Sequence, residues 1–92
     1  MKDTNAPTNA VVGLTSAQIL AESPRRTGLF IRNLSNHTIA IAFGNDAVIG
    51  SGINLLKDES FSMGAYDFST AAVNAIADFA GCNISIQEFV LE

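Results

Sequence analysis

The side chains best suited to chemistry in this sequence are its one histidine and its one cysteine, and each stands alone. His37 falls between Asn36 and Thr38, at the tip of a predicted hairpin turn. A catalytic or zinc-binding imidazole needs partner groups at fixed distances. With no second histidine in the chain, His37 reads as a polar turn residue. Cys82, between Gly81 and Asn83, has no partner for an internal disulfide. It reads as a small, semi-buried side chain beside a turn glycine.

Nine carboxylates are spread along the chain. A general acid and base need a cleft that fixes their separation, and spacing alone defines none. Asn45-Asp46 and Asp58-Glu59 carry oxygen ligands in loops, but neither has the alternating pattern of an EF-hand loop, and turn chemistry accounts for both. The glycines at 13, 28, 44, 50, 52, 64 and 81 form no phosphate-binding pattern and fall at strand ends. Asn33, Asn36 and Asn83 open formal glycosylation sequons, which read as chance in a chain without a signal-like start. The sequence therefore assigns no catalytic residue, no metal ligand and no cofactor.

Five basic residues stand against nine acidic ones, giving a net charge of −4, and only Arg25-Arg26 are adjacent. That distribution argues against a nucleic-acid surface. Arg25, Arg26 and Arg32 have three readings: solvated charges that guard a sheet edge, interface guanidinium groups, or a site for phosphate or an anionic sugar. In the interface reading they pair with carboxylates such as Asp46 or Glu88 on the same or a neighbouring chain.

The elements that would position these residues are organised around 27–44. Two apolar, β-branched runs flank Ser35-Asn36-His37, the form of an antiparallel hairpin. In the second run Ile39, Ile41 and Phe43 alternate with Thr38, Ala40 and Ala42, so the large side chains share one face. In the first, Leu29 and Ile31 share one face while Phe30, Arg32 and Leu34 share the other. A strand with bulk on both sides must be covered twice, by its core and by a second layer or another chain.

Residues 1–9 are polar and aperiodic, and read as a flexible arm that a neighbour can order. Ala10–Leu14 is β-prone. Thr15–Glu22 is either strand or a helical turn, and the β context favours strand. Ser23-Pro24 breaks the chain. Short strands follow at Ile53–Leu55, Ser60–Met63, Val73–Phe79 and Asn83–Leu91, the last with Ile84 and Ile86 inward.

About seven to eight short strands with turns every 8–12 residues indicate an all-β fold, a small antiparallel β-sandwich or barrel spanning 10–92 as a single domain. No apolar run approaches the roughly 18–20 residues of a membrane helix, and the first residues lack a signal core. The expectation is a protein neither inserted in a membrane nor exported by the usual signal. Hydrophobic residues make up 48% and charged residues 15%, against about 25% charged in ordinary domains. Either the core is unusually well filled or part of the outside is covered in an assembly.

Arg25–Ser35, Ile39–Gly44, Gly52–Leu55 with Ser60, Val73–Ala77 and Gly81–Glu88 together resemble small β-rich structural proteins of tailed bacteriophages. The resemblance implies a non-enzymatic virion component on the capsid exterior or a head or tail appendage, and it carries over no catalytic residue. The sequence shows no direct match to trimeric head-decoration proteins. The function expected is a capsid decoration or cement protein, made in the host cytoplasm and resident in the virion. Its partners would be the phage major capsid protein or another virion structural protein, and copies of itself as a homo-oligomer, with neither nucleic acid nor membrane. The contact residues expected are Arg25, Arg26, Phe30, Arg32, Leu34, Phe89 and Leu91. The rival is a fibre- or spike-type recognition module that binds host-surface glycans through Tyr66, Phe68 and the loop Asn45–Ser51.

Overall fold

The computed structural model of the chain describes residues 2–4, 8–63 and 69–91. Among them are nine strands and no helix: β1 (Lys2–Thr4), β2 (Thr8–Val12), β3 (Ala17–Leu20), β4 (Arg26–Asn33), β5 (Ile39–Phe43), β6 (Ile53–Leu55), β7 (Ser60–Met63), β8 (Val73–Ala77) and β9 (Cys82–Leu91). They form the expected all-β sandwich. The five-stranded sheet runs β1-β9-β4-β7 with β2 also paired to β9, and the four-stranded sheet runs β3-β8-β5-β6. Every pairing is antiparallel. The chain changes sheet at every connection except β1–β2 and β5–β6, so neither sheet is a local unit.

The core lies between the sheets and follows the alternation in the sequence. Leu29 and Ile31 of β4 and Ile84 and Ile86 of β9 enter it from one side, and Ile39, Ile41 and Val73 from the other, each at most 2% exposed. Across the β5–β8 ladder Ile39 stands opposite Ala77 and Ile41 opposite Ala75. Large against small fills the layer at the density a core requires. The segment with both helical and strand readings is strand at Ala17–Leu20, because the edge of β8 offers it a ladder.

The N-terminal segment differs from the free arm expected for 1–9. Lys2–Thr4 pairs with Phe89–Leu91, and Thr8 and Asn9 open β2 against Ile86 and Ser85. At ten residues, β9 exposes more backbone donors and acceptors than one short partner can satisfy, and the two strands share that edge. This pairing is what takes the strand count to nine.

Candidate interaction surface

β4 is fastened at each end by a buried polar side chain. Arg26, read from the sequence as an edge or interface charge, is instead 1% exposed. Its Nε donates to Glu88 Oε2 at 2.8 Å, Nη1 to the carbonyls of Ser69 (2.9 Å) and Ala71 (2.7 Å), and Nη2 to that of Ala21 (2.7 Å). The carboxylate partner is one the sequence offered, Glu88, but the pair is internal to the fold. It belongs to no outer surface.

The cause of the inversion is a register shift between Arg26 and Gly28 on β9. Thr27 is the extra residue, so Arg26 points to the opposite side from Gly28 and Phe30, into the sandwich. Gly28 remains on the outer face opposite Phe89. A Cβ there would stand 3.2 Å from the Met63 carbonyl oxygen and 3.3 Å from Phe89 Cδ2, so the absence of a side chain lets the Phe89 ring lie close over β4.

Asn33 holds the other end and is fully buried. Its Nδ2 donates to the carbonyls of His37 (2.6 Å), Leu55 (2.8 Å) and Leu56 (3.2 Å), and its Oδ1 accepts from Ser35 N (2.8 Å) and Ser35 Oγ (2.7 Å). The Asn33 backbone N–H donates to Glu59 O at 2.9 Å, and Asp58 N–H donates to Asn33 O at 3.2 Å. One side chain thus ties the turns after β4 and after β6 together. The signal for this role was in the sequence: Asn33 shares parity with Leu29 and Ile31, the inward set.

The two outer faces of the sandwich are treated differently. On the four-stranded sheet the loop 44–52 folds back across the strands. Asn74 Nδ2 donates to Asn45 O (2.6 Å), Ala47 N to Ser16 Oγ (2.8 Å), and Gly50 N to Asn54 Oδ1 (3.0 Å). Ala47 is 3% exposed, and Ala40 is fully buried although it faces away from the core. The small outward residues Ala40 and Ala42 make the bed for this flap, so the outer face of that sheet is covered by its own chain.

The five-stranded sheet has no such flap among the described residues. Register places its outward side chains in rungs: Val11 and Asn83 with Leu34 beside them, then Asn9, Ser85, Arg32 and Ser60, then Gln87, Phe30 and Ser62, then Phe89 with Gly28. Val11 is 70% exposed, Leu34 47% and Phe30 38%. Arg32 is the one charge in these rungs, and its 4.0 Å approach to Asp58, with both groups half exposed, is worth little. In these rungs Phe30, Phe89 and Arg32, residue types enriched at interfaces, stand with the aliphatic Val11 and Leu34 among small polar residues.

The expected contact residues therefore divide. Phe30, Arg32 and Leu34 are outward together, Phe89 is half-buried on the same face, and Arg25 is exposed at the start of β4. Leu91 pairs through its backbone with Lys2, and its side chain lies outside the described residues, as do Tyr66 and Phe68. The other half of that rival surface, Asn45–Ser51, is the flap. His37 does serve its turn: its ring stacks on Phe79 with centroids 4.2 Å apart, and its Nδ1 lies 3.9 Å from Asp78 Oδ1. Cys82 is buried, its Sγ donating to Phe79 O at 3.2 Å. Among the described residues there is no pocket, and no three His, Cys, Asp or Glu side chains converge.

No protein-family model matches this chain, and no curated protein does. Among solved structures it is similar to a chain from "Bacillus endospore appendages form a novel family of disulfide-linked pili", with a TM-score of 0.56. The two are 15% identical, over 98% of this chain and 86% of that one. At that identity the likeness is one of fold: this chain shares its β-sandwich with a pilus-forming protein.

Proposed function

We propose that this protein is a non-enzymatic structural subunit of a bacteriophage virion, a capsid decoration protein that docks on the head shell through the outer face of its five-stranded sheet. The observation that carries the reading is the asymmetry of the two outer faces. The loop 44–52 covers the strands of one sheet, with Val48 and Ile49 exposed on the loop itself, whereas on the other sheet Phe30, Leu34 and Val11 are exposed on and beside the strands themselves. Exposed apolar area of this kind stabilises a complex by about 25 cal/mol per Å² once a partner covers it. The sequence resemblance to β-rich phage proteins supports the virion assignment, and the fold shared with a pilus protein supports a structural role.

The mode of assembly would differ from the one that the neighbour's description records. A single thiol makes at most one bridge, and Cys82 is 2% exposed. The contact proposed here is accordingly a non-covalent one. The test is co-sedimentation of the purified protein with mature phage heads. Wild-type protein is expected to saturate at a fixed copy number per head. Phe30→Asp, at a surface position, is expected to keep its circular dichroism and lose sedimentation. Failure of the wild-type protein to sediment with heads would overturn the proposal.

A further inference from the structure

The four sheet edges are not equally guarded. β3 carries a register shift between Gln18 and Leu20, which breaks its ladder. β6 is three residues long and leads into Lys57, and the far edge of the five-stranded sheet is divided between β1 and β2. Short strands, irregularities and charges are the devices that keep edges from pairing. β7, four residues long and preceded by Asp58-Glu59, carries no such device within the strand itself. Ser60-Phe61-Ser62-Met63 contains no charge, proline or bulge, and its second side is unpaired among the described residues.

The hydrogen bonds between Asn33 and the residues 58 and 59 fix which groups of β7 face outward. In an antiparallel ladder, bonded and non-bonded pairs alternate. Counting from the bonded position opposite Asn33, the pairs Ile31–Phe61 and Leu29–Met63 exchange bonds, while Arg32–Ser60 and Phe30–Ser62 do not. The N–H and C=O groups of Ser60 and Ser62 therefore point away from β4, which presents two donors and two acceptors along the free edge.

We propose that β7 pairs with β7 of a second copy, antiparallel about a two-fold axis through Phe61. The local sequence is symmetric about that residue, Ser-Phe-Ser. In this register Ser60 meets the partner's Ser62 and Ser62 meets the partner's Ser60, and four backbone bonds form from the four outward donors in the two strands. An isologous contact of this kind is self-complementary and closed. Phe61, half-buried at the core margin and 5.9 Å from Phe43, stands opposite its own copy at the close, non-bonded position, where cross-strand aromatic pairs contribute most. No like charges face each other, and the two five-stranded sheets join into one. The outward face with Phe30 stays open on both copies, so this contact is separate from the head-docking face.

The experiment is light scattering after size exclusion across a concentration series of the full chain. Wild-type protein is expected to move from 9.7 kDa toward twice that mass. Because so small an interface is weak, the series should reach about 500 μM. Ser62→Pro removes only an outward N–H, which an edge strand tolerates, and is expected to stay monomeric with an unchanged melting temperature. Ser60→Lys, which places a charge on the edge, is expected to do the same and serves should the proline variant fail to fold. A wild-type monomer throughout the series, or a dimer that survives both folded variants, overturns the proposal. Phe30→Asp changes the docking face and leaves the backbone edge of β7 in place, so it is expected to lose head sedimentation and still dimerise, and the two proposals fail separately.

Discussion

Replacing Arg26 by methionine tests the internal architecture of the fold. The substitution keeps an unbranched stem of similar reach and deletes the guanidinium. It removes one charge-assisted bond to Glu88 and three bonds to the carbonyls of Ala21, Ser69 and Ala71. The Arg26 side chain is fully buried and that of Glu88 is 10% exposed, so neither solvent nor salt substitutes for the lost partner. Removing one member of a buried pair costs about 3–5 kcal/mol. For a domain of this size each kcal/mol lowers the melting temperature by about 4–8 °C, so the expected loss is about 12–40 °C. Thermal and urea unfolding followed by circular dichroism measure it directly. In the double variant with Glu88→Leu the buried carboxylate is removed together with the guanidinium, and about half of the loss is expected to return, the remainder reflecting the lost bonds to the three carbonyls. A change below about 1 kcal/mol in the single variant would refute the reasoning, because an exposed or interface arginine behaves that way.

Asn33→Ala is expected to destabilise the domain by about 2–4 kcal/mol in the same urea assay, since it removes the Nδ2 donor to the buried Leu55 carbonyl and the Oδ1 acceptor of Ser35 N and Oγ. Asp58 is the one non-glycine residue with positive φ among those described, at 63°. Its N–H donates to Asn33 O while Glu59 O accepts from Asn33 N–H, the pattern of a bulge whose first residue is usually glycine. Asp58→Gly is therefore expected to stabilise by up to about 1 kcal/mol, read as a rise in the urea midpoint at constant slope.

Most of the sandwich is legible in the sequence because the alternations in β4, β5 and β9 are strict. Leu29 and Ile31, Ile39 and Ile41, and Ile84 and Ile86 face the core as their spacing dictates. The open face follows from the same parity: Phe30, Arg32 and Leu34 are outward for the reason that Leu29 and Ile31 are inward. Arg26 escapes that reasoning because a single inserted residue, Thr27, reverses its direction. Its partners also come from Ala21, Ser69, Ala71 and Glu88, segments far apart in the chain that only the tertiary fold assembles. The flap over the four-stranded sheet escapes it because the signal is negative. Small outward residues at Ala40 and Ala42 permit a covering without specifying which loop supplies it.

The central claim is that the open face of the five-stranded sheet is the surface that an assembly covers. Oxidative footprinting of the free protein and of the same protein in intact virions compares the two outer faces within one molecule. The account predicts that Phe30 and Leu34 lose most of their labelling in the virion, while Val48 and Ile49, exposed on the flap, keep theirs. Protection of Val48 and Ile49 with Phe30 and Leu34 labelled as in the free protein would contradict it.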